Sequence, residues 1–163
     1  MESSPLALRL SHFYKIEPAD LNAFSKIAYE EREVSRGEVV LKRGEKKRHL
    51  LILMNGWLLR NRYTPDGGRQ IIHVLLPGDL VTPDLAVTNQ TDHEVVACTD
   101  SKIRLIEGDV LFNKLSGSPS MLTSLWWSAA QEEGMLREQI VRLGRRSARQ
   151  RIPHFLLELL RRL

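Results

Sequence analysis

Residues 118–143 read S-P-S-M-L-T-S-L-W-W-S-A-A-Q-E-E-G-M-L-R-E-Q-I-V-R-L and separate two regions of different character. Ser118 is a suitable helix N-cap, and Pro119 suits the first helical position because its missing N–H would have no helical partner there. Only Gly134 interrupts the run. The sequence therefore predicts one helix of about 25 residues, about 37 Å long. Gly144 is expected to cap its end.

Apolar residues recur in this predicted helix at alternating spacings of three and four, which is typical of a helix that pairs with another helix. Two positions of the repeat hold Glu132 and Gln139 instead, and Ile140 lies beside the second. The repeat predicts an interface with a second helix. Its residues would be Leu122, Leu125, Ala129, Leu136, Ile140 and Leu143.

The residues before this helix form short apolar runs separated by turns, which is the pattern of a mainly β domain. Asn55-Gly56 predicts a hairpin, because both residues tolerate positive φ. Residues 70–76 are apolar on both faces apart from His73, so we expect a strand buried between two sheets. About seven or eight such strands, with short helices only at the two ends of the region, predict a β-sandwich or roll.

The residues after the long helix form a second, shorter helical pattern. Ser147 and Gln150 have the spacing of a capping box. The apolar face that follows consists of Ile152, Phe155, Leu156, Leu159 and Leu160. No other residues of this sequence are expected to cover that face, so we interpret the helix as the first element of a further domain.

The composition is that of a globular protein. The chain has 163 residues, which suffice for one ordinary domain with one or two appended helices. No apolar run approaches the roughly 20 residues of a membrane helix, and the first residues lack the features of a signal peptide. We therefore expect a cytoplasmic protein with no membrane partner. Cys98 is the only cysteine, which excludes an internal disulfide and a four-cysteine iron–sulfur cluster within one chain.

Positive charge is concentrated at the C-terminal end. The net charge is +4, but residues 137–163 contain eight arginines and two glutamates and so carry +6. Arg145, Arg146 and Arg149 cluster where the two predicted helices meet. Two interpretations of these arginines remain open. They contact DNA phosphates, which gives salt-sensitive affinity without sequence preference, or they form a solvated face with salt bridges to the β domain.

Several short motifs occur in order along residues 16–163. They are Arg-Gly-Glu at 36–38 and 43–45, Asn-Gly at 55–56, Pro-Asp-Gly at 65–67, Leu-Leu-Pro-Gly-Asp at 75–79 and Leu-Gly-Arg-Arg-Ser-Ala-Arg-Gln-Arg-Ile at 143–152. Each motif alone is weak. Together with the long helix, their order and spacing resemble those of bacterial Crp/Fnr-type transcription regulators.

The resemblance implies a mainly β fold with flanking helices. This is a cyclic-nucleotide-binding-like β-roll, or double-stranded jelly roll, followed by a long dimerisation helix. It divides the chain into a sensor domain with an N-terminal helix (residues 1–117), a dimerisation helix (118–143) and the first helix of a winged helix-turn-helix domain (144–163). Most of that last domain is expected to be missing from this sequence.

The same resemblance implies a function. The chain would be the effector-sensing and dimerisation portion of a DNA-binding transcription regulator, and not an enzyme. The protein would form a homodimer, and a full-length form would bind DNA through its C-terminal domain.

Two other interpretations remain. A naturally short protein of this kind would heterodimerise with full-length relatives and block them. A cupin-like metalloenzyme would need a His-x-His pair, a Glu and a further His. The five histidines are scattered and include no such pair: His12, His49, His73, His93 and His154. We therefore predict neither a catalytic site nor a metal site.

The resemblance also bears on the ligand. Relatives that bind cyclic nucleotides carry Gly-Glu-Leu and then Arg-Ser/Thr-Ala after the Gly-Asp pair, whereas this sequence has Thr-Pro-Asp-Leu at 82–85 and Thr-Asp-His-Glu at 91–94. No Lys or Arg lies between Arg69 and Lys102. Negative charges in that region include those of Asp79, Asp84, Asp92 and Glu94. Because a phosphate would meet repulsion there, we predict no cyclic AMP binding through an arginine–phosphate pair.

The effector, if the protein has one, is not identified by these residues. Iron–sulfur members of the family need several cysteines, so no such cluster is expected. The candidates for an effector pocket are Gly78, Asp79, Pro83, Asp84, Thr91, Asp92, His93 and Trp126.

Five single side chains carry separate expectations. His73 is expected to be a core histidine hydrogen-bonded to the backbone. His93 is interpreted as a solvated loop histidine, with a pH-sensitive or metal-binding role as the alternative. Cys98 is expected to be a small buried apolar residue, with a redox-sensor role as the alternative. Trp126 and Trp127 point about 100° apart on a helix, so we expect one to pack on the β domain and the other to lie near the helix interface.

Overall fold

The computed structural model describes residues 5–11, 17–46, 48–82 and 90–163. The helices in these residues are α1 Pro5–Ser11, α2 Pro18–Ser25, α3 Gly108–Leu115, α4 Pro119–Arg145 and α5 Ala148–Arg162. The strands are β1 Glu30–Val34, β2 Val39–Leu41, β3 His49–Asn55, β4 Leu58–Tyr63, β5 Arg69–Leu75, β6 Glu94–Ala97 and β7 Ser101–Glu107.

The strands form two antiparallel sheets around one core. One sheet has the order β1-β7-β3 and the other the order β2-β6-β4-β5. The core between them consists of Val34, Val40, Leu41, Leu51, Leu53, Leu58, Leu75, Val81, Val95, Ala97 and Ile103. The predicted mainly β roll, flanked by helices and followed by a long helix, is confirmed.

Strand β3 is buried on both of its faces. Leu51 and Leu53 belong to the core between the sheets, whereas Leu50 and Ile52 belong to a second core. This second core includes residues of α1, α3 and the start of α4, namely Leu6, Leu10, Leu111, Leu115 and Met121. Both side-chain sets of the strand are therefore covered, as in a strand that lies between two layers.

Strand β5 differs from this expectation. We expected residues 70–76 to lie between two sheets, but Leu75 is the residue of β5 that joins the core between the sheets, whereas Arg69 and Gln70 are exposed, so that expectation is wrong. Residues of α4 and α5 reach it instead. The Gln139 amide of α4 lies 3.5 Å from the Ile71 carbonyl, and Arg162 of α5 donates to the Val74 carbonyl (2.8 Å).

The Asn55-Gly56 turn joins the two sheets. Because β3 and β4 lie in different sheets, the predicted hairpin at this turn is wrong. Gly56 has φ +85°, and a Cβ there would lie 2.5 Å from the Asp100 carbonyl oxygen. The chain packs instead against the turn after β6, where the Trp57 N–H donates to the Thr99 hydroxyl (2.9 Å). Glycine is required because a side chain would collide with that neighbouring turn.

Strand β1 was missing from the sequence prediction. Its sequence, Glu-Glu-Arg-Glu-Val, lacks apolar alternation, and it pairs only with β7 at the edge of its sheet. Glu31 accepts a hydrogen bond from Arg104 (2.9 Å) and forms an ion pair with Lys102 (3.3 Å), both on β7. Cross-strand charges thus replace most apolar contacts of β1. A strand of this kind has no apolar alternation from which it could be predicted.

The ends of the two C-terminal helices are explained by capping. The Ser118 side chain accepts from the Met121 N–H, as predicted for the N-cap of α4. Gly144 does not end α4, which continues to Arg145, so that expectation is wrong. Arg151 donates to the Leu143 carbonyl (2.8 Å) and the Arg146 carbonyl (2.8 Å) and so satisfies acceptors at the end of the helix. The predicted capping box at the start of α5 is confirmed.

Candidate functional site

The turn after β5 fixes the carboxylate of Asp79. Gly78 has φ +90°, and a Cβ there would lie 2.7 Å from the Pro5 carbonyl oxygen of α1, so only glycine fits under that helix. The Leu76 N–H donates to Asp79 Oδ2 (2.7 Å). The backbone of the turn therefore orients this buried carboxylate independently of its side-chain partners.

Arginines from opposite ends of the chain converge on Asp79. Arg9 of α1 lies 2.9 Å from Oδ1, and Arg162 of α5 donates to Oδ2 (2.7 Å). Arg162 also lies 3.1 Å from Nε2 of His73 on β5. We call Arg9, His73, Asp79 and Arg162 the Asp79 cluster. It joins the N-terminal helix, the edge strand and the C-terminal helix at one point.

His73 is neutral in this cluster. Burial is the largest cause that holds the pKa of His73 well below its ordinary value, and the charges of Arg162, Arg60 and Arg9 lower it further. Because the Arg162 guanidinium can only donate, the His73 Nε2 accepts and the ring proton lies on Nδ1. His73 is buried, as expected, but its partner is the Arg162 side chain, so the expected backbone hydrogen bond is wrong.

A cavity of about 80 Å³ adjoins the cluster and is closed on one side by α4. Trp127, Gln131, Glu132 and Met135 of α4 line it together with the cluster residues. The volume exceeds the roughly 15 Å³ that one water molecule requires and is well below the roughly 300 Å³ of an ordinary drug-sized ligand site. A nucleotide therefore does not fit in this cavity as it stands.

The candidate pocket residue Trp126 does not line this cavity. Its side chain is 77% exposed, and the adjacent Trp127 occupies the cavity wall instead. Successive residues of a helix point about 100° apart, so only one of the two can face the β-roll. Trp127 and not Trp126 therefore lines this cavity, and the effector pocket itself stays a prediction.

Polar residues of α4 face the β-roll. Arg60 of β4 is buried and bonds both Glu132 and the Val81 carbonyl (3.0 Å for the latter). Arg142 faces α5 instead, where it bonds Glu158 (2.8 Å), and Gln139 approaches the Ile71 carbonyl of β5 (3.5 Å). These contacts explain why Glu132 interrupts the apolar repeat of the sequence: it belongs to the face that packs on the roll.

The opposite face of α4 is apolar and points away from the roll. We call Leu122, Trp126, Ala129, Glu133, Leu136, Ile140 and Leu143 the outer stripe, since they follow one another at spacings of four and three. Leu122 is 52% exposed, Ile140 71% and Leu143 46%. Ala129 is exposed and Leu136 half-buried. Of the predicted interface residues, Leu125 is the one placed elsewhere, because it packs against the second core.

The remaining pocket candidates form a separate group before β6. Asp92 bonds Arg62 (2.6 Å) and lies 2.8 Å from Nδ1 of His93, which lowers the pKa of Asp92. The Thr91 hydroxyl donates to the His93 carbonyl (3.1 Å). Pro83 and Asp84 lie outside the described residues. The structure therefore does not bring Thr91, Asp92 and His93 together with Asp79.

Two expectations about this region are wrong. His93 is buried, because the turn formed with Thr91 packs its ring inward, so it is not a solvated loop histidine. Two of the negative charges are also compensated: Asp79 is paired with Arg9 and Arg162, and Asp92 is paired with Arg62. These arginines lie outside residues 69–102, so the sequence of that region did not show that the fold places them beside the carboxylates.

Cys98 and the C-terminal arginines lie at the surface. β6 ends at Ala97, so Cys98 begins the following turn and is exposed, contrary to the expectation of a buried residue. Arg145 and Arg149 are exposed, and Arg146 lies 3.9 Å from Glu138.

Metal-binding clusters and membrane-spanning helices are both absent from the described residues. These residues contain no group of three or more His, Cys, Asp or Glu side chains arranged for a metal ion. None of the helices described is long and apolar enough to cross a membrane.

The chain is similar to known regulators and to a known domain. Residues 31–118 match the cyclic nucleotide-binding domain family. The nitrogen fixation regulation protein FixK of Azorhizobium caulinodans is 27% identical over 114 residues, which cover 70% of this chain and 45% of that protein. The structure of FixK2 from Bradyrhizobium japonicum superimposes with a TM-score of 0.77 at 25% identity, covering 84% of this chain and 68% of that one.

A further solved structure shares the fold. A cyclic nucleotide-binding domain from Methylobacillus flagellatus gives a TM-score of 0.75 at 14% identity, covering 88% of this chain and 85% of that one. The chain spans about half the length of the curated relatives it matches. More than half of its residues lie within the matched family segment. The chain therefore belongs to the cyclic nucleotide-binding domain family, and Crp/Fnr-type regulators are among its relatives.

Proposed function

We propose that this chain is the effector-sensing and dimerisation portion of a Crp/Fnr-family DNA-binding transcription regulator that acts in the cytoplasm as a homodimer. The observation that carries the proposal is the outer stripe of α4. Apolar side chains of this size, exposed in a row along one helix, cost free energy in water unless another surface covers them.

The outer stripe has the properties of a helix-pairing surface. Its apolar members follow the 3-4 spacing of a two-stranded coiled coil. Its one charged residue, Glu133, forms an ion pair with Arg137 one turn away (2.9 Å), so the charge is compensated on the surface of the same helix. The roll-facing residues of α4 are already engaged, which leaves this face for a partner.

Sedimentation of two single variants tests the pairing. Ile140→Glu places a charge in the outer stripe, whereas Val141→Glu places the same charge on the adjacent exposed residue, about 100° away around the helix. We expect the first variant to be monomeric at concentrations where the second and the unaltered protein are dimeric. A monomeric unaltered protein at high concentration, or equal behaviour of the two variants, would contradict the proposed homodimer.

We further propose that cyclic AMP is not bound by the arginine–phosphate mode. The arginines nearest the candidate pocket already pair with carboxylates: Arg9 and Arg162 with Asp79, and Arg62 with Asp92. A phosphate would have to displace a carboxylate to recruit one of them. Calorimetric titration should give no binding heat at a ligand concentration of about 100 μM, since that concentration suffices for tight regulatory ligands. A low-micromolar dissociation constant would contradict this proposal.

The alternative of a heterodimerising inhibitor uses the same stripe. An apolar row specifies helix pairing but does not by itself specify an identical partner. Co-expression of this chain with a full-length relative distinguishes the two. Recovery of mixed dimers in preference to dimers of this chain would favour the inhibitor, whereas self-sorted dimers would favour the regulator.

A further inference from the structure

We propose that the Asp79 cluster holds α5 on the β-roll and releases it when the Asp79–Arg162 ion pair is broken. Release of the helix is a property of this chain alone. Its consequence, a change in the orientation of whatever follows α5, rests on the function proposed above.

Arg162 makes the contacts that hold the far end of α5 on the roll, whereas Arg142 of α4 holds Glu158 one turn earlier (2.8 Å). The Arg162 guanidinium contacts three groups of the roll, Asp79, the Val74 carbonyl and the His73 ring. The side chain is only 8% exposed, although it lies at the last helical position. Its Nε and Nη1 are buried without a hydrogen-bond partner, and Nη1 approaches Glu158 only to 3.5 Å. Arg162 is thus buried at the end of α5, where its guanidinium contacts the Asp79 carboxylate.

Apolar burial contributes little to the docked position of α5. Among the residues of α5, Leu159 is the one that is buried. Phe155 is half-buried, and the large apolar side chains of α5 that remain more than half exposed are Ile152, Leu156, Leu157 and Leu160. A helix held mainly through charged contacts is held less firmly than one packed through its apolar face, and salt weakens the contacts. The docked position is therefore suited to reversible release.

The connection between α4 and α5 can act as the hinge. Arg146 and Ser147 are both extended and separate the two helices without a glycine. Arg151 binds carbonyl groups at the end of α4 and keeps the first turn of α5 in place. Loss of the Arg162 contacts would consequently move the far end of α5 more than its base.

The cluster also borders the cavity beneath α4. Arg9 and Arg162 both line that cavity, and each contacts a different oxygen of Asp79. Any displacement of the turn at residues 77–79 would alter the contact with α5, because the Leu76 N–H orients the same carboxylate. The cluster therefore couples the geometry of the roll to the position of the C-terminal helix.

Hydrogen exchange of two neighbouring variants tests the proposal. Arg162→Gln removes the ion pair, whereas Arg161→Gln removes the same charge from an exposed position of the same helix. We expect amides of residues 148–162 to exchange about tenfold faster in Arg162→Gln, since a charge-assisted hydrogen bond has been lost. Arg161→Gln should exchange as the unaltered protein does, and β3 and β7 should not change in either variant.

Asp79→Asn tests the cluster from the other side. Asparagine keeps the acceptor for the Leu76 N–H but lacks the charge that holds Arg162, so α5 should again exchange faster. Equal exchange in Arg161→Gln and Arg162→Gln, or protected α5 amides in both Arg162→Gln and Asp79→Asn, would overturn the proposal. Ile140→Glu should leave exchange in α5 unchanged, so failure of the dimer and failure of the cluster are recognised separately.

Discussion

The two faces of α4 differ from those of an ordinary amphipathic helix, because the solvent-facing side is apolar and the roll-facing side combines apolar residues with an ion pair. The face that packs on the β-roll is apolar at its start, where Met121 and Leu125 join the second core, and farther along it carries Glu132, which pairs with Arg60. The face that points to solvent carries Leu122, Trp126 and Ile140. In a helix that packs on its own domain alone, the apolar residues would face the domain. This difference supports the proposal that α4 is positioned on the roll by the second core and the Arg60–Glu132 pair, and pairs with another helix through the outer stripe.

The largest effect is expected when the roll-facing pair is broken. Glu132→Gln leaves the Arg60 guanidinium buried without its counter-charge, which should lower the free energy of unfolding by about 3–5 kcal/mol. Urea unfolding in the monomeric Ile140→Glu background measures this without a contribution from dimerisation. Glu138→Gln, on the same helix but with its carboxylate 3.9 Å from Arg146, should cost about 0–1 kcal/mol. Equal losses of unfolding free energy in the two variants would contradict a special role of the roll-facing pair.

Alanine substitution of the two adjacent tryptophans should distinguish the two faces of α4 by a smaller difference in stability. Trp127→Ala empties part of the cavity wall and should lower the free energy of unfolding by about 2 kcal/mol, less than a fully buried tryptophan because its side chain is half-buried. Trp126→Ala should leave the stability of the monomer within about 0.5 kcal/mol but weaken dimerisation. Chemical unfolding and sedimentation equilibrium measure these effects. A stability loss confined to Trp126→Ala would reverse the assignment of the faces.

The smallest effect concerns pH and His73 beneath α5. Burial holds its pKa well below the unfolded value, so the unfolded chain binds more protons below about pH 6.5. Stability should therefore fall as the pH falls below that value, by at most about 1.4 kcal/mol per pH unit from this group. His73→Gln should flatten the dependence between pH 7 and pH 5.5. Unfolding at a series of pH values tests this, and an unchanged slope in the variant would show that His73 is not the group responsible.

Local sequence patterns predicted where helices begin better than they predicted which elements pack against one another. The N-cap at Ser118 and the capping box at Ser147 were found because a cap depends on residues close in sequence. Strand β1 was missed because cross-strand charges stabilise it, and β5 was misplaced because its cover comes from α4 and α5. Which strands share a sheet depends on contacts distant in sequence, so the Asn55-Gly56 turn was misread as a hairpin.

The candidate site was predictable only in part. Asp79 was selected by the Pro-Gly-Asp turn, but its partners Arg9 and Arg162 lie near opposite ends of the chain, and no local motif joins them. The repeat of α4 identified most of the outer stripe. It could not decide between Trp126 and Leu125, because the position of the roll determines which residues remain exposed.

Disulfide cross-linking of adjacent alanines tests the role of the outer stripe most directly. Ala129 lies in the stripe and Ala130 beside it, and both are exposed. In a Cys98→Ser background, Ala129→Cys should form a covalent dimer under mild oxidation, because identical stripe residues face each other in a parallel helix pair. Ala130→Cys should remain uncross-linked. Equal cross-linking of the two variants, or none in either, would contradict pairing through the outer stripe.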